Sequence, residues 1–492
     1  MTEYIVRAGG QGEGGTLPTL SAAAAVAKRG DVVIVEPGIY REILKPGAGT
    51  TWLGQPGAVI DGGWDRKSVG TQDGATVQID APDTTLRGFL IRNCKGHGLA
   101  VARGGDGALI EDIHIEWCFR GGVILNGMGE LITNVTFRNV HARHMVLSWK
   151  IAPTMLGAGC WAMRYAHNVV VDGCSVAGGH GEGMAAGVLS RNVVIKNTTL
   201  HTTAHLPLYV SNRAQKVTVS DCVLFQTGDA AYLQSDGEAG VPLVIGDETR
   251  PDSKDDKWPH AEDVLVERCL VVGGNKLFEI RNRLKAAGGA AGQYDGYETR
   301  IKNLAVRDCT FVSTITTGPR AVTIIENPIG HKISGIFERC VFVTTRSRSS
   351  GPAEIYNAAA GVKFRDCRFT HPPANAGTSN SQIEAAALVA PLIDVGGTAD
   401  EPVFDIDNYR PRPGGPLVVD GRAVAGALEP EPPPPPPDPD PDPEPEEGPD
   451  WAALLELAAA IGEQLAVANM AGEAAREALG ELLLRLDEYR LG

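Results

Sequence analysis

Short apolar–polar alternations recur along most of the chain and end on a polar pair followed by Cys: "FLIRNC", "IHIEWC", "VVVDGC", "VTVSDC", "VLVERC", "LAVRDC", "GIFERC" and "VKFRDC". A period of two marks strands with one buried face. "VTFRNV" and "VVIKNT" fit the same frame, with Val140 and Thr198 in the Cys place. The column then reads Cys94, Cys118, Val140, Cys174, Thr198, Cys222, Cys269, Cys309, Cys340 and Cys367. Its gaps of 24, 22, 34, 24, 24, 47, 40, 31 and 27 give a base period near 24 with insertions, the signature of a solenoid. Each period holds two or three strands separated by Gly, Asn and Asp turns, with no helical pattern between them. That excludes βαβ units and predicts an all-β parallel β-helix whose coils stack about 4.8 Å apart. The Cys column is expected to point inward as free, small apolar side chains.

A second column sets the register in the later coils. "LYVSN", "YLQSD", "FEIRN", "TIIEN" and "AEIYN" align Tyr209, Leu233, Ile280, Ile325 and Ile355 as inward residues. Two places later stand Ser211, Ser235, Asn282, Asn327 and Asn357, expected to turn inward and satisfy neighbouring backbone groups.

The two ends follow other patterns. "TLSAAAAVAKRGD" predicts a short amphipathic helix with Thr19 as N-cap and Gly30 closing it, placed to cover the open edge of the first coil. A strand, a Pro-Gly turn and a second strand follow in "GDVVIVEPGIYRE". From Glu429 to Asp450, twelve of 22 residues are Pro, which predicts a polyproline II strut of about 65 Å. From Trp451 to Tyr489 apolar residues fall at alternating spacings of three and four, an a/d stripe that asks for a partner helix. The divisions are therefore 1–48, N-terminal cap and first coil; 49–428, parallel β-helix; 429–450, acidic Pro-rich linker; and 451–492, C-terminal helical segment.

"LSAAAAVAKRGDVVIVEPGIYRE", the "RN(D)C" coils and the closing "DIDNYRPRPGGPLVVDGRAVAGALE" are similar to the pectin-lyase-like right-handed parallel β-helix superfamily. That group includes polysaccharide lyases, glycosidases, epimerases and phage tailspikes. The resemblance covers roughly residues 3–429 and implies a right-handed coil. It also implies that any chemistry sits on the outer face of one sheet, with acids, bases and in some members Ca²⁺.

Charge changes the picture at one end. The net charge is −15, but residues 429–450 carry nine acidic and no basic residues, and residues 451–492 a net −4. The large domain is left at −2, which gives no basic footprint for nucleic acid. Nine Cys with no CxxC pair argue against a disulfide scaffold or a zinc ribbon. The start shows no basic n-region and no apolar h-region, so no signal peptide is expected and synthesis is cytoplasmic. No apolar run is long enough for a membrane span.

Candidate chemistry follows from taking Leu233 and Ile280 as inward. Tyr232, Gln234 and Asp236 then face outward beside Glu279, Arg281 and Arg283, and Asp229 falls beside Lys276. The preceding coils carry Met184, Ala186, Leu208 and Val210 at the equivalent places, which makes the polar patch local. Two long insertions, Asp236–Asp263 and Arg283–Arg300, leave from the same coils and bring Trp258, His260, Tyr294 and Tyr297. Asp236, Glu279, Arg281 and Lys276 are the catalytic candidates. Tyr232, Gln234, Arg283, Trp258 and Tyr294 are the substrate-binding ones, suited to sugar stacking and to hydrogen bonding with hydroxyls or carboxylates. A lyase would use Lys276 or Lys285 as base and Arg281 against the enolate-like charge. A glycosidase would pair Glu279 with Asp236 or Asp229.

"FEIRNRLK" resembles the "EIISNKS" segment of the chondroitinase B and alginate lyase family. On that resemblance Glu279 matches the Ca²⁺-ligand Glu, while the base Lys falls at Leu284, with Lys285 one place off. Ca²⁺ is thus the cofactor the resemblance brings into view. His180 and Glu182 in "GGHGEGM", and His141 and His144 in "HARHM", read as structural. A rigid β-helix on a stiff strut ending in an association helix resembles the layout of a virion spike. The expectation is a glycan-recognising spike-like protein of a virion or cell surface, with polysaccharide cleavage, a lyase or glycosidase activity, or a purely structural assembly role as alternatives. Its partners would be a cell-surface glycan and, through 451–492, a second copy or another structural protein.

Overall fold

The computed structural model describes residues 1–430 except for 10–15, 72, 128, 153–158, 204–205, 212, 227–240, 248–260, 274–275, 283–298, 314–322, 327–331, 345–353, 357–361, 372–378, 385–386, 389–395, 398–401, 404, 414, 420–421 and 424. The linker and helix expected beyond Pro430 lie outside the described residues. Those described form a parallel β-helix. Its strands gather into one sheet of 26 and one of ten, and every pairing within them is parallel. The larger sheet folds round a corner and supplies two walls of each coil. Leu109–Cys118 and Thr136–Met145 each run along both. The ten-stranded sheet is the third wall, from Ala75–Ile79 to Glu354–Tyr356.

The corner between the first and second walls explains the polar pair and the Cys. Its residues adopt left-handed backbone: Asp112 (φ 52°), Asn139 (52°), Asn197 (51°), Asp221 (55°) and Asp308 (50°). Asn and Asp bear that conformation better than other side-chain-bearing residues. The bend frees a carbonyl, and the inward residue just after the corner donates to it. Cys222 Sγ donates to Ser220 O at 3.1 Å, Cys309 Sγ to Arg307 O at 3.2 Å, and Thr198 Oγ1 to Lys196 O at 2.8 Å. A small side chain with one donor suits the site, so Thr198 can stand in the Cys column. All nine cysteines are buried thiols. Burial pushes Cys174 up to about 11 and Cys160 to about 12, so they stay protonated.

The ladder is shorter at its N-terminal end than the spacing predicts. Val140 pairs with Ile113, while Cys118 pairs with Cys94. Cys94 and Cys118 therefore belong to a second column five residues further round. They follow a second left-handed corner at Asn93 (φ 51°), Trp117 (59°) and His144 (56°).

The polar residue before each corner points out from the first wall, and the register stacks these residues by alternating charge. Arg87, Glu111, Arg138, Asp172 and Lys196 follow one another, then Ser220, then Glu267, Arg307, Glu338 and Arg365. Arg138 pairs with Glu111, Lys196 with Asp172 at 3.1 Å, and Arg307 and Arg365 both with Glu338 at 3.3 and 3.0 Å. In the later coils the adjacent corner column alternates in antiphase through Asp221, Arg268, Asp308, Arg339 and Asp366. Arg268 grips Asp221 with two hydrogen bonds of 2.7 and 2.9 Å, and Arg339 grips Asp308 at 2.7 and 2.6 Å. The result is a two-column checkerboard in which each charge meets opposites along both directions.

Inside, one apolar cluster runs from Val6 and Trp52 to Phe369. The N-terminal helix Leu20–Val26 covers its start. Thr19 accepts from Ala22 N at 3.0 Å as expected, and Glu42 also accepts from Leu20 N and Ser21 N at 3.1 and 3.0 Å. Helix capping at the C-terminal end falls to Ala27, so Gly30 (φ 88°) belongs to the following turn. The expected strands appear at Val32–Val35 and Gly38–Tyr40. At the other end, described residues between Ile383 and Leu428 roof the second wall. Ile383, Leu388, Tyr409 and Leu417 join the outward Leu270, Val272, Val312 and Val343 in a separate apolar cluster, and Ala427 N donates to Thr310 Oγ1 at 2.9 Å. The strands Leu270–Gly273, Thr310–Ser313 and Val341–Val343 are consequently buried on both faces.

Candidate functional site

The expected site on the third wall is built differently from the sequence reading. The strand beside Phe278–Asn282 is Leu243–Asp247, so Val244 lies next to Glu279, Ile245 next to Ile280 and Gly246 next to Arg281. The register therefore does not pair Tyr232 with Glu279 or Gln234 with Arg281, and the expected pair of Asp236 and Arg283 lies outside the described residues. Leu243 and Ile245 fill the interior, and residues 227–240 and 248–260 on either side of that strand lie outside the described residues. One coil earlier, Val210 pairs with Ile245 and Tyr209 with Val244, so Tyr209 and Ser211 belong to the outward set and Val210 to the inward one. Met184, Ala186, Leu208 and Val210 are fully buried core residues, not outward counterparts of the polar patch.

Of the candidates, Glu279 and Lys276 are described. Glu279 is 6% exposed, flanked in register by Val244 and Glu326, and Lys276 is half-buried at the start of the same coil's third wall. The apolar cluster of Leu206, Tyr209, Val241 and Val244 lies beside it on the outer face. The backbone of Arg281 is in the strand, while its side chain lies outside the described residues, as do Asp236, Tyr232, Gln234, Arg283, Trp258 and Tyr294.

A second polar surface, absent from the sequence reading, lies on the outer face of the second wall over the earlier coils. One column holds Asp61, Arg92, Glu116 and Arg143; the next holds Leu90, His114, His141 and Ser175. Arg92 Nε donates to Asp61 Oδ2 at 3.0 Å and Arg143 Nη2 to Glu116 Oε2 at 2.9 Å. Burial would raise the Asp61 carboxyl, but the Gly63 N–H, Arg92 and Asn93 outweigh it and hold it below the usual range. The His114 and His141 rings lie 5.1 Å apart. His141 is held by Ser175 Oγ at 2.8 Å and Asn139 Oδ1 at 2.7 Å. At the corner, Trp117 stacks on His144 with ring centroids 4.1 Å apart, and the Arg66 guanidinium lies 4.2 Å from its ring. Arg66 Nε also donates to Asn93 Oδ1 at 2.8 Å. The signal was in "IEWC": an indole stands at a left-handed corner where Asn, Asp or Gly would cost less. His141 and His144 are thus engaged in this surface. Among the described residues no group of three His, Cys, Asp or Glu gathers to hold a metal ion.

Three histidines are buried elsewhere. Burial pushes His201, stacked on Phe225 at 4.8 Å, down to about 4. Burial, then Arg120, does the same to His97, and burial, then Lys150, to His180. Each folded value lies below the ordinary 6.5, so the unfolded chain takes up protons first as pH falls. Stability is expected to be complete above pH 6.5 and to decline toward pH 4, by up to about 1.4 kcal/mol per pH unit for each histidine. Urea midpoints at pH 7.5 and 5 read this. His201→Phe keeps the stack and should shallow the decline; an unchanged slope in that variant refutes the assignment.

A family model described as a right-handed beta helix region matches residues 75–244. Among solved structures, the Streptococcus pneumoniae surface protein and adhesin PfbA aligns at a TM-score of 0.50 and 10% identity, over 74% of this chain and 95% of that one. A rhamnogalacturonan lyase aligns at 0.40 and 12% identity, over 79% and 90%. The Dettilon tailspike protein aligns at 0.34 and 13% identity, over 76% and 60%. No curated protein matches the chain in sequence. Among the described residues no helix is long and apolar enough to cross a membrane.

Proposed function

We propose that the chain, a parallel β-helix whose residues 75–244 match a right-handed beta helix region, recognises a glycan along the outer face of its second wall, as a spike-like or adhesin-like protein of a virion or cell surface. The observation that carries this is the contrast along one wall. Over the later coils its outer face is apolar and roofed by described residues between Ile383 and Leu428. Over the earlier coils it presents Arg92, Glu116, Arg143, His114 and His141, planar hydrogen-bonding groups in two columns. Successive members are one coil apart, about 4.8 Å, close to the length of one pyranose unit. Such a row can hold successive sugars by the same contacts. Paired carboxylate and guanidinium groups also hold each other in position, which lowers the ordering cost of binding. An ordinary solvated face would carry the same ion pairs with little energy, so affinity decides between the two.

A second reading rests on the third wall. Glu279 is a buried carboxylate in register with Glu326, with Lys276 and Arg281 on the same coil. Glu279 supplies a carboxylate of the kind glycosidic cleavage needs, and Lys276 an amine of the kind that serves as base in elimination.

One experiment serves both readings: a glycan array on the full chain, followed by affinity and product analysis for each hit. Arg92→Ala with Arg143→Ala is expected to weaken the hit at least tenfold while the melting temperature moves by only a few degrees. Unchanged affinity removes the second wall from the reading. Product release that survives Glu279→Gln removes the third.

A further inference from the structure

We propose that a corner pocket between the third and first walls, distinct from both surfaces above, binds a small carboxylate-bearing ligand with an apolar face. The cavity measures about 340 Å³, within the range of pockets that bury small molecules. Two stacked columns build it. Leu189 and Arg213 sit at the corner on successive coils, with Leu131 on an earlier one. Two places further on stand His167, Arg191 and Gln215, paired in register.

The backbone first marks this corner as unusual. Val188 (φ 42°) and Leu189 (φ 60°) are consecutive bulky residues in the left-handed region, one of them β-branched. The same corner on the adjacent coils also holds Tyr165 (φ 54°) and Arg213 (φ 66°) left-handed, but among the described residues two consecutive side-chain-bearing residues stand so only here, where Asn or Asp would bear it with less strain. The cost gains nothing for the core. Leu189 is 44% exposed and Leu131 is 49% exposed, and both line the cavity.

Charge gives the second, independent sign. In the checkerboard, Arg268, Arg307, Arg339 and Arg365 each hold a carboxylate. Arg191 holds none among the described residues, and no acidic residue lines the cavity. Ser190 is spent on Gly187 O at 2.6 Å and Met163 O at 3.1 Å. The Arg191 guanidinium, the His167 imidazole and the Gln215 amide line the cavity beside it. A carboxylate accepts two parallel hydrogen bonds from a guanidinium, and the two leucines supply a surface for an apolar body. The carboxylate can come from an acidic sugar unit or from a free carboxylic acid.

Calorimetry on the full chain separates these sources. Three probes are used: hyaluronan tetrasaccharide, the neutral chitotetraose and 4-methylbenzoate. The Arg92→Ala/Arg143→Ala background keeps the second wall from contributing, so failure here leaves that reading untouched. Saturable binding of one carboxylate probe is expected, with chitotetraose at least tenfold weaker than the tetrasaccharide if the acidic sugar is the source. Arg191→Ala should weaken the bound probe at least tenfold. Leu189→Asn should weaken it at least threefold with an unchanged or higher melting temperature, because Asn accepts the backbone that Leu strains. The proposal falls if neither carboxylate binds, if chitotetraose binds as well as the tetrasaccharide, or if Arg191→Ala leaves the affinity intact.

Discussion

Replacing Phe337 with alanine is expected to lower the stability of the later coils by about 3–5 kcal/mol, the range for a buried Phe→Ala. Phe337 is fully buried and is the hub of an aromatic ladder. Its ring lies parallel to Phe364 at 5.0 Å, edge-on to Phe278 at 5.4 Å, and within 6.3 Å of Phe311. Phe311, Phe342 and Phe369 stack beside it at 4.9 and 4.8 Å. The neighbouring rings are themselves buried in the same core, so they close the space only in part. In a stacked array, stability is close to a sum over neighbouring coils, so one global free energy describes it poorly. Amide hydrogen exchange is the right measurement. Protection should fall in Thr299–Arg307, Lys332–Glu338 and Val362–Arg365 and stay in Val32–Val35 and Thr51–Gly54. A uniform loss along the chain would contradict coil-by-coil stability, and no loss would contradict the packing.

The solenoid, its period and most of the inward ladder were legible because each Cys follows a left-handed corner, and that corner restricts which residues stand before it. The errors have physical causes. Two corners per coil can each be followed by Cys, so Cys94 and Cys118 look like members of the column that in fact runs from Val140 to Cys367. Alternation reports a face only where the two faces differ. Leu208–Ser211 is buried throughout, since Leu206, Val241 and Val244 surround Tyr209 on the outside, and a slip of one residue left no trace in the pattern. That slip carried the third-wall candidates with it. It placed Tyr232 and Asp236 beside a strand whose neighbour is Leu243–Asp247. Trp117 was visible but read as part of a Cys motif, and its meaning depends on Arg66, 51 residues earlier. The roof leaves no periodicity because its described part contributes single side chains, Ile383, Leu388 and Leu417 from irregular backbone and Tyr409 from the short helix Ile406–Tyr409.

Alternating "ER" and "RD" before successive cysteines was also in plain sight, and it carries the second large effect. Arg339→Glu should destabilise the later coils by about 2 kcal/mol at low salt, more than a half-exposed residue normally costs. The substitution removes two short hydrogen bonds to Asp308 and sets a carboxylate between Asp308 and Asp366 and beside Glu338. Most of the penalty is repulsion, so it should shrink by about half in 1 M salt, where screening reaches only about 3 Å. Adding Asp308→Arg restores the pair but sets the new guanidinium against Arg268 and next to Arg307, so recovery should be partial. Full rescue, or a penalty below about 0.5 kcal/mol that ignores salt, would show the charges to be independent surface pairs. Partial rescue with salt dependence would show that they act as a lattice. A strand slipped by one coil would then meet like charges in both columns. The alternation therefore does for the exterior what the aromatic ladder does for the interior: it makes each coil fit one neighbour and repel the next.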